Sequence, residues 1–260
     1  MTRKLAELLL AVSMLGTRLH LVGAERPAEK GPERSFEVTT KERVPFLPGG
    51  TIRLDNSYGY LTVEGWDEPQ VEITVTKATD RFFEPGHKEK AEKNFDQIRV
   101  SAERHSDKEL AIATTIPVRN SLFTSVLPSG LIIVTRPLLP NNKRGVTVEY
   151  TVRVPRDSRL VVHHDNGYVW VSDVTGDIEV HSHTGDMIVM LPDPGPYFIN
   201  ATTRIGSVSS DFSGKALNQF LLGTHFAYAS EGPSRRIDLR MGRGGITIKK
   251  VPPSGAFGQN

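Results

Sequence analysis

No cysteine occurs among the 260 residues. That absence removes disulfide scaffolds, thiolate zinc sites, iron–sulfur clusters and cysteine nucleophiles, and it leaves no site for lipoprotein-type acylation near the N-terminus. Long apolar runs are missing too: no stretch reaches the ~18 residues that a membrane-spanning helix requires. Charge is close to balanced, 32 Lys plus Arg against 30 Asp plus Glu, for a formal +2. A basic excess that would grip nucleic acid is therefore absent. There is no Gly-x-Ser-x-Gly elbow, and Gly242-Arg243-Gly244-Gly245 lacks the Lys-Ser/Thr of a phosphate loop. What remains is ordinary globular composition, 38% hydrophobic and 24% charged, in a chain long enough for one large domain or two small ones.

The N-terminus reads as an export signal spanning residues 1–24. Arg3 and Lys4 give a positive start, Leu8 to Gly16 is apolar except for Ser13, and Val22-Gly23-Ala24 places small residues where a signal peptidase reads them. Glu7, Arg18 and His20 are departures from that pattern. Cutting after Ala24 leaves 29 residues of each charge sign, so the mature chain is neutral. Residues 25–34 are polar and proline-bearing, a disordered leader by composition. The expected location is extracytoplasmic: periplasm, cell surface or secreted.

From Ser35 the chain alternates with period two, as in Val71-Glu72-Ile73-Thr74-Val75-Thr76 and Gly145 to Val154. Each such segment has one apolar and one polar face, the pattern of a half-buried strand, and glycine- or asparagine-rich turns separate them. One helix is expected over His87–Gln97, rich in Lys, Glu and Ala after Pro85-Gly86. The strand Leu110–Thr114 should pair with one near Val100 across Ser106-Asp107-Lys108. Residues 115–144 read as an inserted loop or hairpin, and 252–260 as a flexible tail. Lys249 and Lys250 stand near that end, where they would discourage edge pairing.

Glycines supply the strongest pattern. Gly167, Gly176 and Gly185 lie nine residues apart and each opens a short alternating strand; looser copies follow Gly59, Gly206 and Gly244-Gly245. Two units make an eighteen-residue register that lays Val162 on Val180, Gly167 on Gly185 and Val169 on Met187. Glycine permits the φ > 0 geometry of a tight corner, and strands stacked ~4.8 Å apart would satisfy one another's backbones around an aliphatic interior. The expectation is an all-β, solenoid-like stack of short strands over 35–251, with one short helix and the 115–144 insertion. A β-sandwich with glycine-bearing hairpin turns is the alternative.

Asn56-Ser57-Tyr58-Gly59-Tyr60-Leu61-Thr62-Val63-Glu64-Gly65-Trp66 resembles the opening motif of the bacterial putative-adhesin family, whose head domains are rich in Gly-Asp-Ile repeats. Tyr150 to Pro155, Asp165-Asn166-Gly167 and Thr175-Gly176-Asp177-Ile178 are similar to its central portion. The resemblance covers residues 36–250 and implies an exported, solenoid-like β protein. It implies little about activity.

Three groups of residues bear on function. His163, His164, Asp165, His181 and His183 cluster in sequence and register, with His163, Asp165, His181 and His183 on the outer face. Three imidazoles and a carboxylate suit zinc, copper or nickel, although a flat strand face seldom converges ligands and a polar outer face is the plainer reading. Trp170, with Tyr168 and Ile188 beside it, is either a contact platform for a partner or sugar ring, or is covered by the chain itself, the commoner fate of a large aromatic. The outward acids Asp177, Glu179 and Asp186 could serve a glycan-active enzyme of the cell envelope, but they are scattered. Turn chemistry accounts for the Gly-Asp pairs better than calcium does. The functional expectation is thus a non-catalytic adhesin-like or envelope scaffold module, without cofactor, whose ligand is an unidentified protein or glycan surface. The alternative is an envelope polysaccharide enzyme.

Overall fold

The computed structural model describes residues 36–79, 88–115, 123–126, 132–135, 146–219, 222–232 and 234–252. The export segment, the leader, most of the 115–144 excursion and the tail beyond Pro252 lie outside them. Among the described residues no helix is long and apolar enough to cross a membrane.

Alternating segments become strands throughout. They begin with β1 (Glu37–Pro45), β2 (Thr51–Trp66) and β3 (Gln70–Thr79). Helix α1 (Lys88–Asp96) falls where its composition places it. It buries Ala91 and Phe95, four residues apart and so on one side. Lys77 donates to the carbonyls of Phe95 and Ile98 at 2.8 and 2.6 Å, satisfying acceptors that the helix end leaves open. Next comes the antiparallel pair β4 (Arg99–Ser106) and β5 (Glu109–Thr115), joined by the expected turn. Within the excursion, β6 (Phe123–Val126) and β7 (Ile132–Thr135) form a two-stranded sheet of their own. The remaining strands are β8 (Val146–Pro155), β9 (Arg159–Ser172), β10 (Ile178–Pro192), β11 (Tyr197–Ile205), β12 (Val208–Ser210), β13 (Lys215–Gln219), β14 (Gly223–Ala229), β15 (Arg235–Arg243) and β16 (Ile246–Val251). All but β6 and β7 join one open fourteen-stranded sheet.

Glycine divides that sheet into two limbs. Gly59, Gly167 and Gly185, inside β2, β9 and β10, have φ of +92°, +127° and +127°. Inward positions switch phase across each of them. In β9 the core aliphatics are Leu160 and Val162 before the corner, then Val169 and Val171 after it; in β10 they are Ile178 and Val180, then Met187, Val189 and Leu191. A regular strand would keep one parity. Neighbours switch as well: β10 pairs with β15 ahead of Gly185 and with β16 beyond it. Gly244 and Gly206, also at positive φ, make the same corner between β15 and β16 and between β11 and β12. The five stack. A Cβ on Gly167 would strike the carbonyl oxygen of Gly59, one on Gly185 that of Gly167, one on Gly244 that of Gly185, and one on Gly206 that of Gly244.

Parallel pairing of β9 with β10 sets Val162 beside Val180 and Val169 beside Met187. Their side chains, with those of Ile52, Leu54, Leu61, Val63, Ile237, Leu239, Ile246 and Ile248, are at most 3% exposed and line the interior of both limbs. Burying each aliphatic side chain contributes about 1.5–3 kcal/mol.

Two features depart from the sequence-based expectation. Gly176 lacks a positive φ and makes no corner; it lies in the return turn between β9 and β10, pressed against the Ser158 carbonyl. The nine-residue spacing therefore joins two different bends, and eighteen residues make a full layer. Nor do layers follow chain order, because β15 is inserted between β10 and β11.

Candidate binding surfaces

The outer face of the second limb presents aromatic rings. Strand pairing aligns Tyr60 of β2 with Tyr168 of β9, and Tyr168 with Asp186 of β10. The tyrosine rings stack with centroids 5.2 Å apart and planes 9° from parallel. In the next row Trp170 lies between Thr62 and Ile188, with Thr151 beyond Thr62 and Thr247 beyond Ile188. Exposure is 48% for Tyr60, 51% for Tyr168 and 38% for Trp170, so the indole keeps more than a third of its surface open where large aromatics are usually buried. Tyr60 escaped notice in the sequence as a site residue. Laying Gly59 on Gly167, a step the repeat invites, puts the two tyrosines side by side.

The outer face of the first limb is mostly polar, with Val161 and the exposed Phe198 as apolar members. One row reads Asp55, His163, His181, Arg240, Thr202, His225 across β2, β9, β10, β15, β11 and β14. His163 Nδ1 lies 2.6 Å from Asp55 Oδ1, and its ring is 5.6 Å from that of His181, tilted by 42°. His181 Nε2 is buried without a hydrogen-bond partner; the closest carboxylate oxygen, on Glu179, is 3.7 Å away. Burial, then the charge of Arg240, lowers the His181 pKa. Among the described residues no group of three or more His, Asp or Glu side chains is disposed to hold a metal ion. His163, His181, His183 and Asp165 are thus not gathered into one set of ligands. Adjacent rungs of a flat face hold imidazoles abreast, and Asp55 already engages one of them.

Instead, an open depression of about 620 Å3 is lined by His181, His183, Asn200, Arg204, His225 and Arg240, among others. Gly242 occupies the outward position between β10 and β11, where a Cβ would press on the His183 carbonyl, so no side chain fills the centre. Asn200 Oδ1 lies 2.8 Å from His225 Nε2.

His164 faces inward and is 3% exposed. It belongs to a buried polar row behind the corners, Ser57, His164, Ser182, Met241, Thr203 and Thr224, in which only Met241 is apolar. Its Nδ1 is 2.9 Å from Ser57 Oγ, while Nε2 has no partner. Desolvation pushes its pKa down to about 4.

The scattered acids hold turns together. Asp177 accepts from the Arg236 backbone N–H and Asp186 from that of Gly245, each at 2.8 Å. The two bonds are equivalent, one bend apart. Glu179 is paired with Arg159 at 3.4 Å.

No family model matches the chain, and no curated protein matches it. Solved structures similar to it include one from Clostridium sporogenes described as a "putative cell adhesion protein", at 13% identity over 84% of this chain and 100% of that one, with a TM-score of 0.45. Another, from Bacteroides fragilis and described as a "putative adhesin", has 10% identity over 83% and 97% with a TM-score of 0.30. A third, from Parabacteroides distasonis and described as a "putative lipid binding protein", has 9% identity over 82% and 96% with a TM-score of 0.21. These bacterial neighbours are distant in sequence, at 9–13% identity.

Proposed function

We propose that this is an exported, non-catalytic, adhesin-like module with a short solenoid-like stack as its frame, and that its contact face is the aromatic patch of Tyr60, Tyr168, Trp170 and Ile188. The carrying observation is three exposed rings on adjacent rungs, two of them stacked. Flat apolar ring faces suit the faces of a sugar, and the neighbouring Thr62, Thr151, Thr247 and Glu149 offer partners for its hydroxyls. The rungs fix their backbones, so little ordering is required on binding. Location outside the cytoplasm rests on the N-terminal sequence, Arg3 to Ala24. The enzyme alternative draws no support from Asp177, Glu179 and Asp186, each already engaged with a backbone amide or an arginine.

Titrating the folded protein with neutral oligosaccharides while following tryptophan fluorescence tests this reading. Saturable quenching that Trp170→Ala removes, with near-UV circular dichroism otherwise retained, is the expected result. Binding that is absent, or identical in wild type and Trp170→Ala, would contradict it.

A further inference from the structure

The first limb carries a second surface, independent of the aromatic patch. Arg204 on β11 and Arg240 on β15 both line the depression, His181 and His183 stand on its β10 side, and His225 with Asn200 closes the other. Among the described residues no carboxylate lines it. The nearby acids are already committed: Asp238, 6% exposed, lies beneath Arg240 at 3.1 Å and Arg236 at 3.6 Å, and Glu179 is held by Arg159. Arg204 is exposed and makes no ion pair with another described residue. The bare Gly242 backbone between them leaves room for a ligand group to descend among the donors.

Arg240 is held by Asp238 and His225 by Asn200, so the open donor at this face is the Arg204 guanidinium, beside the exposed His183 ring, and a planar fork of this kind has an anionic oxygen group as its natural complement. We propose that this open depression binds a sulfate, phosphate or carboxylate group, carried free or on a saccharide. The insertion of β15 creates the site: without it, Arg240 and Gly242 would not stand between the histidines of β10 and Arg204 of β11.

The test uses the full chain and three probes: a sulfated disaccharide, its unsulfated parent and inorganic sulfate. Binding is followed by amide NMR shifts at Gly242, His183 and Arg204. The expected result is saturable binding of the sulfated sugar that weakens as salt rises, no binding of the parent at this face, and affinity lowered about tenfold by Arg204→Gln. Arg204 is exposed, so this substitution leaves the fold intact, which circular dichroism checks. Inorganic sulfate binding as tightly as the sugar would identify a free anion as ligand; tighter binding of the sugar would identify an acidic saccharide. Absence of saturable shifts with both anions, or equal affinity in Arg204→Gln, would overturn the proposal. Trp170→Ala should leave this binding unchanged, which separates its failure from failure of the aromatic reading.

Discussion

The two limbs are built alike within and unlike without. Both interiors are columns of aliphatic side chains supplied rung by rung, Ile52, Leu160, Ile178, Ile237 in the first and Leu61, Val169, Met187, Ile246 in the second. Outside, the first limb shows imidazoles and guanidiniums around a depression, whereas the second shows tyrosines and a tryptophan. In a period-two strand the outer residues are released from packing, so one scaffold can carry two unrelated chemistries. A smaller asymmetry lies inside. The first limb's innermost row at the corner is polar and contains His164, while the second limb's interior is largely aliphatic, with Tyr150 beside Leu61 and its hydroxyl accepting from Thr114 at 3.1 Å.

If the corner column is what joins the limbs, breaking it should do the greatest damage. Gly185→Ala forces a Cβ onto the Gly167 carbonyl at a φ of +127°. A loss of about 4 kcal/mol or more, or failure to fold, is expected. Gly232→Ala, at a φ of +84° with nothing within 4 Å, isolates the backbone cost and should lose only about 1–2 kcal/mol in urea denaturation. Equal losses would mean that close approach of the corners does not matter.

Interior equivalence predicts that Leu160→Ala in the first limb and Leu61→Ala in the second, both at most 1% exposed, cost similar amounts, about 2–5 kcal/mol each. A large effect in one and none in the other would show that only one limb is packed.

The polar inner row should make the first limb acid-sensitive. His164 has a folded pKa near 4, below the unfolded value of about 6.5. The unfolded chain therefore takes up this proton first. Stability is undiminished above pH 6.5, falls as pH drops toward 4, and loses on the order of 3 kcal/mol from this group. Comparing His164→Gln with wild type at pH 7 and pH 4 isolates that contribution from carboxylates titrating alongside. An unchanged difference between the two pH values would place His164 in water. Smaller effects are expected outside: Trp170→Ala, which uncovers a ring about three-fifths buried, should cost about 1–2 kcal/mol, and Arg204→Gln should change stability by no more than about 0.5 kcal/mol.

Much of the frame was legible in the sequence because it is local. Alternation marks strands wherever one face is buried, and the glycines announce bends. Spacing alone could not distinguish the corner at Gly167 from the return turn at Gly176, since glycine suits both positive φ and close backbone approach. The place of β15 was hidden for another reason: nothing in Arg235–Arg243 says which two strands it will separate, a choice made by packing over some fifty residues. That choice also hid the depression, whose Arg204, His225 and Arg240 meet His181 only through it. Tyr60 was the reverse case, marked by its glycine yet 108 residues from its stacking partner.

Proximity of interior methyl groups offers the most direct test of the stacked-corner frame. In a nuclear Overhauser spectrum of protein labelled at Val, Leu and Met methyls, cross-peaks should join Val162 to Val180 in one limb and Val169 to Met187 in the other. Assigned spectra lacking both would contradict it.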